Sequence, residues 1–150
     1  IFNNTVYGYA AENQFQTAGT TTLQNNIIVD TRGVAYASHA APTKSNNNLY
    51  YSTNNGGMQI PSWDSTSYKA DPKFVDPATG DFRLQSISPA IDSGDDTSAI
   101  VTTDLLGTAR SVPVTLGAIG AVIGDGGVPP QILRLYRLSD LPIKGVTTQY

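Results

Sequence analysis

Side chains able to do chemistry are scarce in this chain. Its 150 residues hold nine Lys and Arg, twelve Asp and Glu, and one His. Hydrolysis of a glycosidic bond needs two carboxyl groups flanking that bond. Before residue 53 the carboxylates are Glu12 and Asp30, and their spacing assigns them to no common face. Elimination at a uronate needs a base and a cation, supplied by Arg, Lys or Ca²⁺. Asp30, Arg32 and His39 are the candidates, with Lys44 as a further cation. Asp30 and Arg32 lie two apart and share a face when extended. A solvated ion pair at a corner is their plainer role. His39 sits in Ser38-His39-Ala40-Ala41-Pro42 and reads as an exposed loop residue. One His without a carboxylate cluster builds no metal site. Asp92, Asp95 and Asp96 around Gly94 are the one Ca²⁺ possibility. They lack EF-hand spacing, so turn capping is the expected role. No other cofactor is implied.

Aromatic residues offer a second kind of chemistry. Tyr9, Tyr36, Tyr50 and Trp63 are interleaved with Asn, Gln, Ser and Thr. Exposed rings stack on the apolar face of a pyranose while amides bind its hydroxyls. The expected partner is therefore a polysaccharide or surface glycan. About half of the aromatics are instead expected to fill the interior.

Composition excludes other classes. The net charge of −3 and pI near 4.8 argue against nucleic acid. With no cysteine, disulfides, thiolate metal sites and thiol catalysis are excluded. No apolar run approaches the roughly 20 residues that span a bilayer. Mean hydropathy of −0.19 with 39% apolar residues fits a folded chain.

The elements that position these residues follow from the asparagines. Asn4, Asn26 and Asn48 recur at one spacing, 22 residues. Each precedes a β-favouring run: Thr5-Val6-Tyr7, Ile27-Ile28-Val29, Leu49-Tyr50-Tyr51. A unit of this length, with short strands and polar corners, is one coil of a β-solenoid. Equivalent residues then stack about 4.8 Å apart. Asn suits the corner because it tolerates left-handed backbone angles, and stacked amides bond along the axis. Tyr7, Val29 and Tyr51 share one repeat position and should form a stack. Thr20–Leu23 and Val34–Ala37 supply further strands. An antiparallel sandwich with Asn-rich turns is the alternative.

From residue 52 the period fails. Asp71-Pro72-Lys73-Phe74-Val75-Asp76-Pro77-Ala78-Thr79-Gly80-Asp81-Phe82-Arg83-Leu84 reads as strand, turn, strand. Ser88-Pro89-Ala90-Ile91-Asp92-Ser93-Gly94 follows. Residues 71–94 resemble the C-terminal segment "DPxFVDPxxGDFxLxxxSPAIDxG" of right-handed parallel β-helix proteins of the pectate-lyase-like superfamily. Asp104-Leu105-Leu106-Gly107-Thr108-Ala109-Arg110 and Thr115-Leu116-Gly117-Ala118 resemble its closing elements. Thr115 departs from the usual acidic residue there, and Ile119-Gly120 follows the Ala.

The resemblance implies an all-β, right-handed parallel β-helix. Coils would occupy residues 1–52, a last coil and cap 53–122, and a linker and tail 123–150. The cap residues would be Asp71, Phe74, Asp76, Gly80, Phe82, Asp92, Asp104 and Arg110. Phe74, Val75, Phe82, Leu84, Ile87 and Ile91 are expected to plug the end of the last coil, which would otherwise aggregate. Asp104 and Arg110 are expected to form an ion pair.

The chain opens as a strand in progress, which reads as part of a longer polypeptide. The expected role is a structural, carbohydrate-contacting module at an extracellular, cell-surface or virion location, without a complete active site. A polysaccharide lyase or hydrolase with its catalytic residues upstream or between subunits is one alternative. A phage fibre component, a trimer or larger assembly joined through residues 124–150, is the other.

Overall fold

A computed structural model describes residues 1–9, 20–30, 43–53, 60 and 62–120. Eight strands and no helix are found among these residues. Strands β1 (Thr5–Tyr9), β3 (Ile27–Asp30), β5 (Leu49–Ser52) and β6 (Tyr68–Lys69) form one sheet in that order. Every pairing in it is parallel. Strands β2 (Thr22–Gln24) and β4 (Lys44–Asn46) form a second parallel pair, extended by a bridge from Phe2 to Gln24. Strands β7 (Phe74–Asp76) and β8 (Asp81–Leu84) make an antiparallel hairpin.

The sequence period is the hydrogen-bond register. Thr5 pairs with Ile27 and Ile27 with Leu49, while Tyr7, Val29 and Tyr51 align. Parallel pairing at this register excludes the antiparallel sandwich. It also continues one rung beyond residue 52, where Leu49 pairs with Tyr68 at the shorter offset of 19 seen between Asn48 and Ser67. The proposed strand Val34–Ala37 and the tail 123–150 lie outside the described residues.

Two jobs assigned to one asparagine are divided between neighbours. The left-handed residue is the first of each pair: Asn3, Asn25 and Asn47, with φ of 52°, 58° and 50°. The second forms the ladder. Asn4 N–H donates to Asn26 Oδ1 at 2.9 Å, and Asn26 N–H to Asn48 Oδ1 at 3.0 Å. Asn48 N–H donates to Ser67 Oγ at 2.8 Å. Asp64 closes the ladder by accepting from Ser67 Oγ at 2.5 Å, Tyr50 Oη at 2.8 Å and Asn48 Nδ2 at 3.3 Å. Buried amides are costly unless paired, so this ladder fixes the stacking of the corners.

Strand alternation gives the four-stranded sheet two apolar faces. Ile28 and Tyr50 lie on one, packed with Ile60. Ile27, Val29 and Leu49 lie on the other, buried beneath Phe74, Leu84, Ala90 and Leu116. This corrects the expected plug. The Tyr7 ring on β1 lies 6.2 Å from Phe74 and 5.2 Å from Phe82, which are themselves 5.4 Å apart. β1 is the strand farthest from β6. The hairpin therefore lies across the flank of the sheet rather than over its last edge. Phe74 and Leu84 are buried and Phe82 and Ile91 half-buried, but Val75 and Ile87 are 45% and 72% exposed. Val75 is exposed because alternation turns it away from the sheet that Phe74 covers.

The expected Asp104–Arg110 ion pair is also replaced. Asp104 Oδ1 accepts N–H groups from Leu106 and Thr108, and Oδ2 accepts that of Gly120. Arg110 donates to the carbonyls of Thr115 and Gly117 at 3.1 and 2.7 Å. Each charged group satisfies backbone that no neighbouring strand reaches.

Candidate functional site

The segment from Ser88 to Gly117 builds a strap along the asparagine corner. Gly94 N–H donates to Val114 O and Leu116 N–H to Ala90 O, so its two halves run antiparallel. Asp95 accepts amide N–H groups from Gln24 at 2.8 Å, from Asn47 at 2.6 Å and from Asn46. Its own backbone exchanges two hydrogen bonds with the Asn25 side chain. Thr97 Oγ1 donates to Asn3 Oδ1, and Asn3 Nδ2 donates to Thr115 O. The first asparagine of each pair thus turns the chain and holds the strap.

Close approach explains two glycines of the strap. A Cβ on Gly94 would sit 2.9 Å from Val114 O and 3.0 Å from Asn25 Cγ. One on Gly117, at φ +84°, would sit 2.7 Å from Thr5 Oγ1 and 2.8 Å from Ile27 Cδ1.

The expected Ca²⁺ position is occupied by these contacts. Both Asp95 oxygens accept amide protons, and Asp96 accepts the Ser98 N–H as a turn cap. Asp92 is left-handed at φ 53°, and its N–H donates to Thr115 Oγ1. Among the described residues no group of three metal-ligating side chains converges. Asp76 and Gly80 shape the hairpin turn through backbone bonds, Asp76 O to Thr79 N–H and Pro77 O to Gly80 N–H.

A cleft of about 370 Å³ opens where the hairpin leaves part of the sheet uncovered. Its floor is Tyr7, Val29 and Tyr51, the stacked repeat position. Its walls are Asp71, Lys73, Phe74 and Gln85, and Thr53, Pro72, Pro77 and Ile87 complete the rim. Asp71 Oδ1 accepts the Lys73 N–H and Oδ2 accepts Nζ, both at 2.9 Å. Burial alone would raise the Asp71 carboxyl. The N–H and ammonium of Lys73 outweigh it and hold the group below the ordinary carboxylate value. The same hydrogen bond raises the Lys73 ammonium. Lys73 itself is left-handed, at φ 55°.

Farther along the hairpin, Arg83 grips Asp81 with Nε and Nη2, at 2.8 and 2.6 Å for the shorter contacts. These bonds hold the Asp81 carboxyl below its ordinary value.

The residues first singled out are largely elsewhere. Tyr50 is fully buried with its hydroxyl on Asp64, so it offers no ring to a sugar. Trp63 is half-buried and does not line the cleft. Tyr36, Arg32 and His39 lie outside the described residues, as do the side chains of Tyr9 and Asp30. The backbone of Asp30 pairs with Ser52. Asp64, Lys73 and Gln85 are not among the candidates the sequence offers, and Asp95 is offered there only as a turn or Ca²⁺ carboxylate. The signal the sequence does carry is the common repeat position of Tyr7 and Tyr51, aromatic residues that line the cleft. The chain matches no protein-family model and no curated protein.

Proposed function

We propose that this chain is part of a right-handed parallel β-helix of the pectate-lyase-like kind, secreted or surface-displayed, that holds carbohydrate without cleaving it. The 22-residue register of parallel strands supports the coil reading. So does the strap, whose Gly94 and Gly117 fall in the segments that carry the resemblance.

One observation carries the functional part. Two tyrosines at one register position floor a cleft walled by hydrogen-bonding side chains. Rings beside polar groups are what pyranose binding requires. Among the described residues, Asp71 is the one carboxylate lining the cleft, and that group is committed to Lys73. A glycosidase needs a pair.

The test is titration of the chain with oligosaccharides, followed by NMR and by a reducing-end assay. Binding without product, weakened at least tenfold by Tyr51→Ala, is expected. Release of reducing ends or unsaturated uronates would refute the non-catalytic role. Binding indifferent to Tyr51→Ala would remove the cleft from it.

A further inference from the structure

We infer that the cleft selects an uncharged glycan, and that Asp71 and Lys73 act as one neutral reading pair. The inference rests on the glycan reading above and specifies its ligand class.

Among the described residues, Asp71 and Lys73 are the charged ones lining the cleft, and their charges cancel. Each is already bound to the other through the ammonium and one carboxylate oxygen, with the Lys73 N–H on the second oxygen. A uronate entering here meets a carboxylate of its own sign. It can reach the remaining ammonium donors only alongside Asp71, whose repulsion offsets that attraction. An uncharged sugar diol meets no such repulsion. A carboxylate has about four lone-pair sites, and Lys73 fills two of them. The ammonium has further N–H donors beyond the one on Asp71. Adjacent hydroxyls, each both donor and acceptor, can therefore give to Asp71 and take from Lys73 with the pair intact.

The rest of the cleft fits the same ligand. Tyr7 and Tyr51 flank Val29 on successive rungs, so their positions are about two strand spacings, ~10 Å, apart. Ile87, 72% exposed, adds apolar surface at the mouth. Gln85 stands on the wall with its amide nitrogen on Phe74 O, which turns the amide oxygen free of that bond.

The backbone of Lys73 supplies an independent observation. Every other left-handed position among the described residues is Asn, Asp or Gly. Those types adopt this conformation readily, and lysine adopts it only at a cost. Residues held in costly backbone conformations concentrate at binding sites. Here the conformation directs the ammonium onto Asp71 at the cleft wall.

The experiment measures affinity and melting temperature together on the full chain. The probes are neutral gluco-, galacto-, manno- and xylo-oligosaccharides and an oligogalacturonate. At least one neutral probe should bind and shift the Tyr7 and Tyr51 resonances, with little dependence on salt. Lys73→Gly should leave the melting temperature unchanged or higher while lowering that affinity at least tenfold. Lys73→Gln and Asp71→Asn should lower it as well, which separates lost chemistry from altered backbone. Tighter, salt-sensitive binding of oligogalacturonate would overturn the charge inference while leaving the glycan reading standing. Neutral binding untouched by all three substitutions would overturn the role of the pair. No binding by any probe would overturn both readings.

Discussion

Replacing Asn26 with Ala tests the ladder at its centre. Asn26 is fully buried. Its Oδ1 accepts from Asn4 N–H at 2.9 Å and from Asn4 Nδ2 at 3.3 Å. Its Nδ2 donates to Asn48 Oδ1 at 2.8 Å, Gln24 O at 3.1 Å and Ile1 O at 3.3 Å. After truncation those acceptors each retain another donor: Asn26 N–H, Asn3 N–H and Gln24 N–H respectively. The Asn4 N–H retains no protein acceptor. Asn4 is exposed, so water can accept its N–H, while each of the four other bonds of the Asn26 side chain costs about 1 kcal/mol when lost. The expected loss is about 3–4 kcal/mol, a large share of the roughly 5–15 kcal/mol of a whole domain. Asn4→Ala is the control. It removes a solvent-exposed bond to Phe2 O and a long, part-buried one to Asn26 Oδ1 and strands nothing, so about 0.5 kcal/mol is expected. Asn26→Asp keeps the shape and removes the donors aimed at Asn48 Oδ1, and should lose at least as much as Ala. Urea unfolding followed by far-UV circular dichroism gives all three values. Asn26→Ala within about 1 kcal/mol of Asn4→Ala would refute the reasoning.

Asp95→Asn should cost about 2–3 kcal/mol in the same assay, because an amide cannot accept from Gln24, Asn46 and Asn47 together. Gly94→Ala and Gly117→Ala should each cost about 2 kcal/mol or more, since their new Cβ atoms meet backbone or side chains of other segments below 3 Å. Acid should destabilise the chain through Asp71 and Asp81, whose carboxyls titrate lower when folded. Their contribution is complete above the unfolded carboxylate value of about 4 and is lost as pH falls through the lower folded values. A pH series of melting temperatures should show that decline, shallower in Asp81→Asn.

The register of the parallel sheet was legible because stacked strands impose a constant sequence interval, and Asn4, Asn26 and Asn48 display it directly. The division of labour within each pair was not legible. Asn3 and Asn4 are the same residue type, and only backbone angles separate the turning member from the bonding one. Alternation announced two apolar sets, Ile27, Val29 and Leu49 against Ile28 and Tyr50, without saying which would pack with Ile60 and which would be covered by the hairpin. Tyr50, expected to offer an exposed ring, is instead buried against Asp64, while Tyr51 keeps its expected place in the stack with Tyr7 and Val29 and lines the cleft. Asp95 was read as one of three turn carboxylates. Its partners lie 48 to 71 residues away, and no local pattern encodes so distant a contact.

Stacked-repeat chains ordinarily lose order one unit at a time, because each unit touches only its neighbours. The strap breaks that rule. Asp95 grips the second and third corners, while Thr97 and Thr115 hold the first. No terminal rung can peel away without releasing a segment that also secures the others. These rungs are therefore expected to melt in a single concerted transition rather than by progressive fraying, with the strap acting as a common tie rod.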